Sequence, residues 1–208
     1  MQIKYWSDIA CPFCYIGSHN MKKAIKGLNL EDKVPLKFLA YQLDPTAPTV
    51  TPESATKVVT PRMKQIEEMA HQSGLEMNLA DVKHVNSMDA HRLIKLAYTK
   101  SDELANKLIN RLYQLYFVDG KSIADHEVLK KNATEIGLKE DEVEAVLNSD
   151  KFEDAVKKDE MDAVHLGVQG VPFFVINDKY ALNGAQPYEV MVNALKKILS
   201  EENKDGED

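Results

Sequence analysis

The feature that most constrains this chain is a pair of cysteines, the only two in 208 residues, placed where a strand should give way to a helix. Residues 3–7 are rich in β-favouring side chains, and Pro12 suits the first turn of a helix. The order strand, Cys11-Pro12-Phe13-Cys14, helix is typical of an α/β fold in which the first strand leads directly into the first helix.

Three uses of the pair other than redox chemistry have to be weighed. A structural disulfide is disfavoured, because closing so short a loop removes little entropy from the unfolded chain. A structural zinc site would need two more ligands, and the sequence has neither a second cysteine pair nor a closely spaced histidine pair. Two inert buried cysteines stay open as an alternative, but an inert residue has no special reason to stand at the start of a helix. We therefore predict a redox pair and no metal site.

The start of a helix also predicts different roles for the two sulfurs. Unpaired N–H groups and the positive end of the helix dipole favour a thiolate there, so Cys11 is the expected nucleophile. Cys14 lies one turn further on the same face and is the expected resolving thiol. Pro12 and Phe13 tune the pair, and because no imidazolium stands between the sulfurs we expect a less oxidising pair than one with histidine there.

Charge and hydropathy exclude several functional classes. The net charge of −7 and the absence of a basic stripe argue against nucleic-acid binding. No run approaches the roughly 20 apolar residues of a membrane span. The N-terminal residues lack the pattern of an export signal, so we expect a cytoplasmic protein, although a signal peptide removed from the sequence is a separate question.

Periodicity and punctuation give a coarse map of the chain. Strands are predicted at 3–7 and 36–41, with a helix over 11–27 between them. A Pro- and Thr-rich loop over 44–60 is followed by helices whose caps are Thr60, Ser87, Ser101 and Ser149. A hairpin across Asp178-Lys179 and a closing helix over 187–199 complete the pattern. The predicted division is a core of 1–43 and 150–200, an inserted helical domain of 44–149, and a charged tail of 201–208.

Four segments resemble the DsbA-like thioredoxin-fold family, and most closely its FrnE-type oxidoreductase branch. They are YWSDIACPFCYIG at 5–17, NSMDAHRL at 86–93, GVQGVPFFVIN at 167–177 and GAQP at 184–187. The resemblance implies a thioredoxin-like α/β fold with a large all-helical insertion. It also implies a cis peptide bond before Pro172, opposite the cysteines, with the Val171 backbone binding substrate in strand fashion. His91 is a candidate for substrate binding or for stabilising the thiolate.

The expected activity is thiol-disulfide exchange on protein or peptide disulfides without a bound cofactor, and a low-molecular-weight thiol is a candidate recycling partner. In a reducing cytosol, reduction or isomerisation is favoured over disulfide donation. Two alternatives remain: a glutathione-dependent isomerase or kappa-type transferase of the same architecture, and a non-enzymatic holdase for unfolded peptides. Relatives of the first kind generally carry serine where this chain has Cys11. The oligomeric state is left open.

Overall fold

The computed structural model describes residues 1–51 and 59–205. It contains a four-stranded sheet formed by β1 (Ile3–Ser7), β2 (Leu36–Ala40), β3 (Phe173–Ile176) and β4 (Tyr180–Asn183). The strand order is β2-β1-β3-β4, with β1 parallel to β2 and antiparallel to β3, and β3 antiparallel to β4. β1 is therefore central, and the cysteines follow its carboxyl end.

Eight helices complete the described part of the chain. They are α1 (Pro12–Gly27), α2 (Pro61–Ser73), α3 (Met88–Tyr98), α4 (Asp102–Phe117), α5 (His126–Glu135), α6 (Glu140–Leu147), α7 (Glu153–His165) and α8 (Tyr188–Asp205). A short 3-10 turn at Leu79–Asp81 precedes α3. The helices α2 to α6 stand between β2 and α7 in the chain, so the fold is a thioredoxin-like α/β fold with a helical insertion, as predicted.

The two faces of the sheet are buried against different helices. Ile3 and Tyr5 on one face belong to a large core that also takes in α1, α8 and the helices of the insertion. Trp6 points to the other face, where it packs with Ala163 of α7 and its indole N–H donates to the Asp159 carbonyl (2.8 Å). Because the large core is continuous, the sheet and the insertion are packed as one body.

The outer edge of β2 and the following residues are covered by side chains from the helices. Three main-chain N–H groups donate to them: Phe38 to Tyr98 (2.9 Å), Ala40 to Asp159 (2.7 Å) and Gln42 to Glu160 (3.0 Å). An edge strand with satisfied N–H groups is a poor template for pairing with another chain.

Arg92 of α3 ties the insertion to the chain that returns to the sheet. Its side chain is buried and donates to the carbonyls of Val146, Ser149 and Lys151, and it forms an ion pair with Asp89 (2.6 Å). The guanidinium thus satisfies carbonyls where α6 ends and α7 has not yet begun.

Local signals placed the starts of α2, α3 and α4 correctly, but the Ser87 side chain makes no capping hydrogen bond to α3. Thr60 and Ser101 cap α2 and α4 with their hydroxyls as predicted. The prediction that Ser149 caps α7 is wrong, because that helix begins at Glu153 after Phe152 in a left-handed conformation (φ 67°). The closing helix also continues to Asp205 and not only to residue 199. Residues 206–208 of the predicted tail, and 52–58 of the predicted loop, lie outside the described residues.

Candidate functional site

Cys11 is the N-cap residue of α1. Its backbone is extended (φ −101°, ψ 115°), Pro12 occupies the first helical turn, and the Cys11 sulfur accepts the Cys14 N–H at 3.3 Å. The same N–H also donates to the Cys11 carbonyl (3.1 Å), so the sulfur shares a main-chain donor of the first helical turn. Both cysteines are free thiols.

Cys14 lies beneath Cys11 in a more enclosed environment. It is 0% exposed, whereas Cys11 keeps 3% of its surface accessible. Burial raises the pKa of the Cys14 thiol well above its ordinary value, and the neighbouring Cys11 raises it further. Hydrogen bonds from the Asp8 backbone and the Ser7 side chain act in the opposite direction without outweighing burial. Cys14 is thus kept as a protonated thiol next to the more accessible sulfur.

The loop before β3 faces the first cysteine. The peptide bond between Val171 and Pro172 is cis, and the Cys11 S–H lies 3.9 Å from the Val171 carbonyl oxygen. Pro172 is buried and Val171 is half-buried. Gly17 of α1 allows this close approach, because a Cβ at that position would lie 2.7 Å from the Pro172 ring.

Of the two residues between the cysteines, both remain partly accessible. Pro12 and Phe13 are half-buried, and Phe13 packs against the edge of the large core. Two half-buried apolar residues thus stand close to Cys11: Phe13, two residues later in the chain, and Val171, whose carbonyl oxygen is near the Cys11 sulfur.

The structure places His91 away from that surface. Its side chain is 0% exposed, and its Nε2 atom lies 3.2 Å from the Asp8 carboxylate, which is itself buried. No hydrogen bond joins the His91 ring to either sulfur among the described residues. His91 is therefore connected to the cysteines only through Asp8, and it does not line a surface that substrate can reach.

Two residues that sequence reasoning does not single out lie at the underside of the pair. The Asp8 N–H and the Ser7 side chain both hydrogen-bond to the Cys14 sulfur. The Ser7 hydroxyl is also 2.7 Å from the Tyr113 hydroxyl of α4. The Tyr113 ring stacks on Tyr15 of α1, with ring centroids 4.9 Å apart. The position of Asp8 three residues before Cys11 is the only sequence signal that could have drawn attention to it.

Other features of the described residues do not converge on the cysteines. A cavity of about 580 Å³ lies between α1 and α4, lined among others by Lys22, Asp102 and Asn106, and neither cysteine borders it. In residues 1–51 and 59–205 no cluster of His, Cys, Asp and Glu is arranged to hold a metal ion. None of the helices in those ranges is long and apolar enough to cross a bilayer.

Comparison with known proteins decides the family. The profile of the DSBA-like thioredoxin domain matches residues 2–196 of the 208. The chain belongs to the DsbA-like thioredoxin family. The crystal structure of a probable DsbA oxidoreductase from Streptomyces coelicolor is 32% identical, with a TM-score of 0.86 over 97% of this chain and 91% of that one.

Two more distant solved structures share the fold of this DsbA-like protein. The cytosolic disulfide reductase DsbM from Pseudomonas aeruginosa, solved with glutathione, is 17% identical with a TM-score of 0.72 over 96% of this chain and 100% of that one. A 2-hydroxychromene-2-carboxylate isomerase is 15% identical, also with a TM-score of 0.72, over 99% of this chain and 98% of that one. The two likenesses are equal, so the fold alone does not separate a disulfide reductase from an isomerase.

Proposed function

We propose that this protein is a thiol-disulfide oxidoreductase that acts on protein or peptide disulfides through Cys11 and Cys14. The observation that carries the proposal is the difference between the two sulfurs. Cys11 caps a helix and accepts an N–H, whereas Cys14 is fully enclosed beneath it and its pKa is raised by burial. A nucleophile above a protected thiol is the arrangement that two-step disulfide exchange requires.

The reaction follows from this arrangement. The Cys11 thiolate attacks one sulfur of the substrate disulfide, and the other substrate sulfur leaves with the electron pair and takes up a proton. Cys14 then loses its proton and attacks the Cys11 sulfur, which releases the second substrate thiol and leaves a Cys11–Cys14 disulfide. The substrate has gained two electrons and the protein has lost two, so a thiol, either a protein or a low-molecular-weight one, has to reduce the pair for the next cycle.

The loop at Val171 and Pro172 is the proposed docking strip for the substrate chain. Within the described residues the Val171 N–H donates to no acceptor, and Pro172 has no N–H that could compete for the sulfurs. An extended substrate segment could pair with the Val171 backbone in the manner of an added strand. The half-buried Phe13, two residues after Cys11, offers a further apolar contact.

The direction of exchange depends on the compartment. A cytosolic glutathione poise lies near or below about −220 mV, and a moderately oxidising pair would be mostly reduced there. No imidazolium stands between the cysteines to make the pair more oxidising, because the intervening residues are Pro12 and Phe13. We therefore propose reduction or isomerisation of substrate disulfides in the cytoplasm, with donation as the reverse reaction in an oxidising compartment.

The decisive experiment is insulin reduction by wild type, Cys11→Ser and Cys14→Ser with dithiothreitol as the recycling thiol. We expect wild type to accelerate precipitation of the insulin B chain and Cys11→Ser to match the uncatalysed rate. Cys14→Ser is the matched control, since it should still attack and, when dithiothreitol is left out, accumulate a covalent adduct that mass spectrometry detects. Catalysis at the same rate by wild type and Cys11→Ser would contradict the proposal. If neither protein exceeded the uncatalysed rate, the non-enzymatic holdase would be the better interpretation.

The likeness to the isomerase gives one further candidate, a glutathione-using isomerase or transferase. Such an enzyme would activate a bound thiol without oxidising its own residues, and Cys14 would then have no role. Conjugation of glutathione to 1-chloro-2,4-dinitrobenzene by Cys14→Ser at the wild-type rate would favour this candidate. We expect no conjugation above background by either protein.

A further inference from the structure

The backbone of Asp8 forms hydrogen bonds with both cysteines. The Asp8 N–H lies 3.5 Å from the Cys14 sulfur and donates to it. The Asp8 carbonyl accepts the Cys11 N–H at 3.1 Å and lies 3.4 Å from the Tyr113 hydroxyl. One residue therefore contacts both cysteines through its main chain, and any rotation of its peptide groups would move the donor away from the resolving sulfur.

The side chain of Asp8 fixes that main chain in place. Its Oδ1 atom accepts from the Ala10 N–H (3.0 Å) and from His91 Nε2 (3.2 Å), and its Oδ2 atom accepts from the Leu43 N–H (2.8 Å). Burial would raise the pKa of this carboxyl, but the hydrogen bond and charge of His91, together with the two backbone donors, hold it below its ordinary value. The carboxylate therefore accepts from three donors.

His91 is the only side chain among these three donors. It comes from α3, it is 0% exposed, and its ring lies against Phe38 of β2 with ring centroids 5.6 Å apart. Its Nδ1 atom has no hydrogen-bond partner in the described part of the chain. Because buried polar groups are normally hydrogen-bonded, this single polar contact indicates that the His91 imidazole holds the Asp8 carboxylate in place.

We propose that His91 is a positioning residue for the resolving step, acting through Asp8 on Cys14. In that step the Cys14 sulfur gives up its proton and attacks Cys11, the bond between Cys11 and the substrate sulfur breaks, and the departing substrate thiolate takes up a proton. The Asp8 N–H points at the Cys14 sulfur while negative charge develops on it. His91 keeps the Asp8 peptide in the orientation that makes this possible. The inference rests on the proposed function, because it assigns a role within that two-step reaction.

The two steps can be timed separately with 5,5′-dithiobis(2-nitrobenzoate) in a stopped-flow instrument. Attack by Cys11 releases one coloured thiolate, and attack by Cys14 on the resulting mixed disulfide releases a second. We would compare wild type with His91→Leu, which removes the donor, and His91→Gln, which keeps an N–H donor. His126→Leu is the matched control, because His126 is paired with Asp89 at the surface.

We expect His91→Leu to slow the second release about tenfold, the factor that corresponds to losing one hydrogen bond to a charged group, and to leave the first release within about twofold. His91→Gln should recover most of the second rate, and His126→Leu should change neither. Should His91→Leu fail to fold, Asp8→Asn is compared in the same way, since it weakens the acceptor while keeping the shape of the side chain.

Two results would overturn the inference: equal slowing of both releases, which is what general loosening of the site would produce, or an unchanged second release in a folded variant. Failure of the proposed function looks different. In that case wild type itself would give no second release, or Cys11→Ser would still give the first.

Discussion

The close approach of α1 to the loop at Pro172 allows a direct test of how tightly the site is packed. A Cβ at Gly17 would lie 2.7 Å from the Pro172 ring and 3.3 Å from the Ala185 Cα, where ordinary contact begins at 3.4 Å. Neither neighbour is the end of a flexible side chain. Gly17→Ala should therefore push the loop away from the helix.

Two opposing effects set the size of the change. Replacing a mid-helix glycine by alanine gains about 1 kcal/mol of helix propensity, whereas overpacking a well-filled core costs about 1–3 kcal/mol. We expect Gly17→Ala to lower the free energy of unfolding by about 1–2 kcal/mol, since the contact at Pro172 calls for the upper part of the overpacking range. Insulin reduction should fall as well, because the shift displaces Val171 from Cys11.

Gly27→Ala in the same helix is the matched control. There the added Cβ would lie 2.5 Å from the Tyr188 hydroxyl, which is the tip of a side chain that can move. Urea unfolding followed by the fluorescence of Trp6, the only tryptophan and a buried one, measures both variants. The reasoning would be refuted if Gly17→Ala were as stable and as active as Gly27→Ala.

Three further outcomes follow from the structure. Iodoacetamide at neutral pH should alkylate Cys11 well before Cys14, because burial raises the pKa of the Cys14 thiol and leaves it unexposed, and peptide mass spectrometry that found both modified equally would contradict this. The pKa of Asp8 is lowered on folding, so its contribution to stability is complete above about pH 4 and is lost as pH falls through the folded value. The gap in urea midpoint between wild type and Asp8→Asn should accordingly narrow below about pH 4, and a gap independent of pH would argue against it. Arg92→Met should cost about 3 kcal/mol in urea unfolding by leaving buried carbonyls unpaired, whereas the exposed Lys107→Met should change stability little.

Sequence reasoning succeeded where the signal is local. Thr60 and Ser101 mark the starts of α2 and α4, which they cap. The hairpin across Asp178-Lys179 forms where Asn177 and Asp178 adopt positive φ. It failed at Ser149 because the chain there is held by Arg92, 57 residues away, and not by its own cap. Cap preference depends on a residue and its near neighbours in the chain, so it carries no information about a hydrogen bond from a distant side chain.

The candidate site divides in the same way. The position of Cys11 and Cys14 after a strand could be predicted from neighbouring residues. The approach of Val171 to Cys11 spans 160 residues, and family resemblance, not spacing, suggested it. The contact between His91 and Asp8 spans 83 residues and was not predicted, because nothing in the composition of either segment indicates that the two meet.

The insertion supplies the His91 imidazole of α3 and the Tyr113 phenol of α4, which contact Asp8 and Ser7 just before the cysteine pair. A miniaturised catalyst made by splicing β2 straight onto α7 would retain both thiols but lose His91 and Tyr113. A smaller scaffold that carried Cys-Pro-Phe-Cys would therefore need other side chains to make the contacts that His91 and Tyr113 make with Asp8 and Ser7.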